Sequence, residues 1–240
     1  MELHISIDKK YYKSDSIENG RIIGKFFVEM VKNVFNQSYR YWEKHCQMTK
    51  SGEMPLLYSE RNLYSTFAVA IDKITPIHLS EWSLNPSDYN KLDIGRRVDL
   101  WCLTQNGESG KRLNYFIEIK KGHYNLNKNS KKEFQKSVEE DINSLAKQIT
   151  SIKKLSLEWA GDDNVFLGVP VIHGFYLDGK KFFDANNVRE NIYEQIDKRS
   201  NAQLLVATWI LPDDMNIQWE EKKCSFISIA GIVISKKPSA

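Results

Sequence analysis

A chain of 240 residues, 41% hydrophobic and 27% charged, suits one decorated globular domain with enough length to bury a core. No uninterrupted apolar run approaches the ~20 residues of a membrane helix. The start, Met1-Glu-Leu-His-Ile5, lacks a basic segment followed by an apolar one, so a cytoplasmic protein without a membrane partner is expected. Cys46, Cys102 and Cys224 are odd in number, far apart and without ligand spacing, which argues against zinc and a disulfide framework; a net charge of +3 is too small to mark the whole molecule as nucleic-acid binding.

In chain order, Leu3 to Ile7 reads as a short strand. Ile17 to about Met48 has helical periodicity, with Ile23, Phe27, Met30, Val34 and Phe35 on one stripe and Tyr39 and Trp42 beyond. Its basic, aromatic end (Tyr39 to Cys46) reads as a packing face more readily than as a base-stacking surface. The breaker Ser51-Gly-Glu-Met-Pro55 opens a second helix to about Ile74, with Leu56, Leu63, Phe67, Ile71 and Ile74 buried. Glu60 falls in a vacancy of that stripe. Either it is protonated, paired, or turned toward a metal or its water, or the helix starts late at Ser59 and Glu60 is exposed in a first turn that favours acids. A strand over Ile77 to Leu84 carries a rival acid, Glu81, and Asn85 to Asn90 is a loop.

The next two runs, Gly95-Arg-Arg-Val-Asp99-Leu-Trp-Cys-Leu103 and Leu113-Asn-Tyr-Phe-Ile-Glu118-Ile-Lys120-Lys121, are β-rich and joined by a turn-forming segment containing Asn106-Gly107. An antiparallel hairpin centred between Glu108 and Ser109 sets Asp99 opposite Glu118. Alternation sends Ile117 and Ile119 to one face and Phe116, Glu118 and Lys120 to the other. Two carboxylates with an ammonium two residues along the strand suit a hard cation bound to a phosphate, the lysine being within reach of water or a phosphoryl oxygen. Arg96 and Arg97 are available for phosphates. From Lys120 to Lys136 there are six lysines and one acid, Glu133.

Ser130-Lys-Lys-Glu133 is a capping box that opens a helix with a regular stripe of Phe134, Val138, Ile142, Leu145, Ile149 and Ile152 and a polar flank of Asp141, Ser144 and Gln148. Val165 to Leu177 predicts one or two strands interrupted at Pro170 and Gly174, Asn186 to Arg199 a short helix, Leu204 to Leu211 a buried strand, and Cys224 to Ser235 a strand or hairpin broken at Gly231. Phosphate-loop, dinucleotide and nucleophile-elbow motifs are missing from the sequence. His45 and Cys46 are adjacent, so on a helix they diverge by about 100° and form no dyad.

Glu60, the run Gly95 to Asp99, and Glu118-Ile119-Lys120 together resemble the PD-(D/E)xK nuclease superfamily over roughly Leu57 to Leu177. In that superfamily an acid on a first helix, an Asp at a strand start and an E-x-K on the next strand form the site. Val98, not a proline, precedes Asp99, so no subfamily is implied. The resemblance implies an α/β restriction-endonuclease-like fold: a mixed central sheet flanked by helices, an αβββαβ core over 55–240 with extra C-terminal strands, and an N-terminal helical extension over 1–54 packed on it. It further implies a Mg2+- or Mn2+-dependent nuclease acting on DNA, an endonuclease of restriction, defence or repair type, with a homodimer by analogy. Asp99, Glu118, the carbonyl of Ile119 and Glu60 would hold the metal, and Lys120 would orient the attacking water. Arg96, Arg97, Lys121, Lys128, Lys131 and Lys132 would contact the phosphate backbone, and Gln148 would be an accessory group. The competing class is a catalytically inactive module of the same fold that binds nucleic acid or a protein partner.

Overall fold

The computed structural model describes residues 3–9, 12–83, 97–105, 110–125, 131–154, 163–177, 189–190, 202–215, 217–219 and 222–234, some of them by backbone alone. In chain order the elements are β1 (Ile5–Asp8), α1 (Gly20–Thr49), α2 (Glu60–Asp72), β2 (His78–Ser83), β3 (Arg97–Gln105), β4 (Arg112–Asn125), α3 (Lys131–Lys154), β5 (Asp163–Leu177), β6 (Ala202–Ile210), β7 (Gln218–Trp219) and β8 (Lys222–Ile234). Seven strands form a mixed sheet in the order β1-β6-β8-β5-β4-β3-β2, and the two-residue β7 adds to β8. The β4–β5 ladder is parallel, and the other ladders are antiparallel. That one parallel pairing follows from α3, which carries the chain back over the sheet between the two strands, as a parallel connection requires.

Helices cover both faces. α1 and α2 bury Phe27, Met30, Phe35, Leu63 and Phe67 against Leu100, Ile117, Leu167, Trp209 and Ile229. α3 buries Ile142, Leu145, Ile149 and Ile152 against Phe116, Phe166, Val206 and Ile232. The stripes read from periodicity are the buried ones, except that Ile74 is half-buried beyond the end of α2 and Leu56 lies before its start; the side chains of Phe134 and Val138 lie outside the described residues. Tyr39 and Trp42 pack on the core with rings 6.0 Å apart, whereas Tyr41 is exposed and stacks on His45. No helix among the described residues is long and apolar enough to cross a membrane.

Two expected interruptions are not there. β5 runs unbroken through Pro170, because the ladder to β8 is open between Gly168↔Ile232 and Val171↔Ile229, where a residue without an N–H costs no hydrogen bond; only a register shift at Gly174/Phe175 marks the second expected break. β8 likewise passes through Gly231, whose missing side chain leaves room for the buried Phe27 ring of α1. A Cβ there would stand 2.6 Å from Phe27 Cε2 and 2.7 Å from Cδ2. Gly231→Ala is therefore expected to destabilise by about 1–3 kcal/mol through overpacking, lowering the thermal midpoint on the order of 5 °C; an unchanged melting curve would mean that α1 shifts freely on β8. The helix expected over 186–199 lies outside the described residues, apart from the helical pair Arg189 and Glu190.

Candidate active site

The hairpin has the register that its turn implied: Leu100 pairs with Ile117, and the pairing continues to Gln105↔Arg112. Extended one step, it sets Asp99 opposite Glu118. At that level the two strands part. β3 stays paired with β2 down to Arg97↔Ser83, and β4 stays paired with β5 up to Asn125↔Phe175, but the β3–β4 ladder ends at Leu100↔Ile117. The Asp99 side chain fills the gap, its Oδ2 accepting the Ile119 N–H at 2.7 Å.

The alternation of β3 also turns over here. Val98 packs in the cluster beneath α3, and Leu100, two residues on, packs in the cluster beneath α1 and α2. β2 turns over beside it: between Ser80↔Leu100 and Trp82↔Val98 sits Glu81, with a left-handed φ of 49°. Trp82 joins Trp101 and Phe116 on the α3 side. Glu81 is exposed, and the rival acid is thus turned to solvent at the sheet edge.

Glu118 is 5% exposed. Its neighbour on β5 is Gly168, over which α3 packs so closely that a Cβ would meet Ile149 Cδ1 at 2.3 Å. Burial under this close packing, together with the charge of Asp99, pushes the Glu118 carboxyl up to about 8. Asp99 is also raised, by burial first, and the Ile119 N–H and the Tyr64 hydroxyl oppose the rise.

α2 supplies the third acid. Pro55–Leu57 form a short 3-10 turn, Leu56 and Leu57 bury beneath it, and Ser59 precedes a helix that begins at Glu60, the serine side chain making no capping hydrogen bond. The late start therefore holds, yet Glu60 is not free in solvent. Its Oε2 lies 3.6 Å from Lys120 Nζ and accepts the Lys121 N–H at 3.4 Å, and its Oε1 accepts the Tyr64 hydroxyl at 3.5 Å.

Lys121 departs from its expected role as a phosphate contact. Its ammonium donates to the carbonyl oxygens of Leu57 and Tyr58, and burial lowers its pKa to about 8. Alternation explains this: Lys120 and Lys121 leave β4 on opposite faces, so Lys121 fastens the turn before α2 to the strand.

Tyr64 is the residue that the sequence reading missed. One helical turn after Glu60, its hydroxyl stands between Glu60 and Asp99, and burial followed by Asp99, Glu60 and Glu118 raises its pKa. The signal was its i,i+4 spacing from an acid. Tyr64→Phe is expected to keep the fold but weaken divalent-cation binding by about tenfold or more, because a hydrogen bond to a charged group contributes about 1.5–3 kcal/mol; titration calorimetry with Mn2+ measures the change.

The remaining expected residues scatter. Arg97 is exposed at the start of β3. Arg96 and Lys128 lie outside the described residues, and Lys131 and Lys132 open α3 with side chains outside them. Gln148 is exposed on α3 and is not brought to the acids.

Among the described residues, no group of three or more His, Cys, Asp or Glu side chains stands arranged to hold a metal ion. The cluster is instead an acid pair, Glu118 buried and Asp99 half-buried, with Glu60 turned to Lys120. The donor chemistry nevertheless fits a hard divalent cation: every candidate ligand is oxygen, and the pair carries a repulsion that burial intensifies. Comparison of the chain with protein-family models, curated proteins and solved structures returned no match.

Proposed function

We propose that this cluster is the catalytic centre of a divalent-cation-dependent phosphodiesterase of the PD-(D/E)xK type, acting on nucleic acid, with DNA the first substrate to test. The observation that carries the reading is the convergence of Asp99, Glu118, Lys120 and Glu60 at the one place where β3 and β4 separate. The order α2-β2-β3-β4-α3-β5 supports it further, because it is the αβββαβ order of a restriction-endonuclease-like core.

Mg2+ or Mn2+ would be held by Asp99, Glu118 and the Ile119 carbonyl, which leaves the strand on the same side as the N–H given to Asp99. When bound, the ion would supply Lewis-acid polarisation of the phosphate and a more acidic water. The chain's own groups do the rest. Glu60, already engaged with Lys120, would act through water. The Lys120 ammonium would meet the negative charge that grows on the phosphoryl oxygens as a water oxygen bonds to phosphorus and the ester P–O bond breaks, the leaving oxygen taking a proton. Tyr64 would hold Asp99 and Glu60 in place, and Lys121 would hold α2 against β4 so that Glu60 stays in reach.

The direct test is incubation of the purified protein with DNA and RNA in Mg2+ or Mn2+, with chelator as control. Metal-dependent cleavage is the expected result. Nucleic-acid binding with no turnover under any divalent cation would favour an inactive module of the same fold.

A further inference from the structure

Beside the acids lies a cleft of about 490 Å³. Its buried lining is apolar, from Met54, Leu57 and Ile217; its exposed lining includes Tyr58, Glu53 and Gln218. The cleft and the acid cluster share two stretches of backbone, because Tyr58 and Ser59 run directly into Glu60 and Lys121 follows Lys120.

We infer that this cleft receives one unstacked base of a single-stranded nucleic acid whose adjoining phosphate lies at the acid cluster. The inference rests on the nuclease reading and adds to it the form of the substrate.

Size sets the first limit. A space of this volume holds a drug-sized molecule or a single nucleotide, not a stacked base pair with its neighbours. Chemistry sets the second. The apolar lining suits a ring face, and the Tyr58 ring, 37% exposed and with no aromatic partner among the described residues, offers a surface on which any base stacks. The Glu53 carboxylate and the Ser59 hydroxyl supply acceptors and a donor for base edges.

Charge sets the third limit. Within the described lining the cation is Lys121, and its ammonium is already given to the carbonyls of Leu57 and Tyr58. The Lys120 ammonium stands outside this lining, at Glu60, so a phosphate finds its counter-charge beyond the cleft, at the Glu60 end, and the cleft is left for the uncharged base. A paired base reaches the cleft only after unpairing and unstacking at a cost of a few kcal/mol, so a single-stranded or frayed strand fills it more readily.

The test is a cycle between ring and base. The full-length protein with Mg2+ is assayed on single-stranded DNA and RNA oligonucleotides, on the same DNA with abasic residues flanking the cut, and on the fully paired duplex. Wild type is expected to prefer the intact single strand over both the duplex and the abasic strand by about tenfold or more in kcat/KM, in line with the strength of base–aromatic stacking. Tyr58→Ala should raise KM on intact single strands about tenfold and lose sensitivity to the missing base, while Tyr58→Phe keeps both. Comparison of the DNA and RNA arms reports whether the sugar is read.

Equal sensitivity of wild type and Tyr58→Ala to the abasic site would overturn the inference while leaving the nuclease reading in place. If wild type cleaves nothing, the nuclease reading fails. The same cycle read by fluorescence anisotropy of labelled oligonucleotides in Ca2+ then decides the cleft separately, additive losses counting against it.

Discussion

Asp99→Ala and Lys120→Ala are each expected to lower metal-dependent phosphodiester cleavage by about 10²–10³-fold or more, the scale on which a single preorganised electrostatic group acts in a transition state. The two variants should fail differently. Asp99 faces Glu118 across the gap and accepts the Ile119 N–H, so its loss removes a candidate metal ligand and should weaken cation binding along with turnover. Lys120 touches the cluster through Glu60 at 3.6 Å and offers no oxygen, so its loss should reduce kcat while cation affinity changes little. Single-turnover cleavage beside Mn2+ calorimetry separates the two patterns. Full activity in the Asp99 variant would remove this cluster from consideration.

The second large effect is on stability. Glu118 has its carboxyl raised from 4.5 to about 8, by burial first and then by Asp99. Below pH 4.5 both folded and unfolded chains hold this proton, and the group adds no pH dependence. Between about 4.5 and 8 the folded chain keeps a proton that the unfolded chain has released, so stability falls as pH rises, and the loss is complete above the folded value. The thermal midpoint should decline from pH 5 to pH 8 without divalent cation, and Glu118→Gln should flatten that decline.

A cation that neutralises the acid pair reverses the trend. At a concentration a hundred times its Kd it adds about 2.7 kcal/mol, which for a chain of this size raises the midpoint by roughly 5–10 °C. Scanning calorimetry at pH 5 and pH 8, with and without Mg2+ or Mn2+, checks both signs. A midpoint indifferent to pH across this window and to cation would mean that the two carboxyls are not buried against each other.

What was legible beforehand was mostly local. The hairpin register could be read because a turn-forming segment sits symmetrically between two strong strands, and that alone made Asp99 and Glu118 neighbours. The stripes of α1 and α3 were equally plain, since 3.6-residue periodicity survives any tertiary arrangement. Glu60 was reachable in two ways, and only the 3-10 turn at Pro55–Leu57 decides where the helix starts.

The rest depends on contacts between distant segments. Nothing around Lys121 tells that its ammonium goes to Leu57 and Tyr58, more than sixty positions earlier. Tyr64 looked like one more residue on a half-polar helix until Asp99 stood against it. Pro170 and Gly231 looked like strand breakers because a sequence does not report an open stretch of ladder or an aromatic ring from another layer.

One oxygen atom at the end of the hairpin serves two masters. Oδ2 of Asp99 occupies the position of a missing backbone acceptor for Ile119, so truncation there strands a donor as well as removing a charge. Asparagine keeps an acceptor in that spot and discards only the charge. Substitution by alanine therefore mixes architecture with chemistry at this residue, whereas the isosteric amide isolates the charge, and a collection of natural or engineered variants that had lost catalysis while keeping their shape would be expected to carry Asn in place of Asp99.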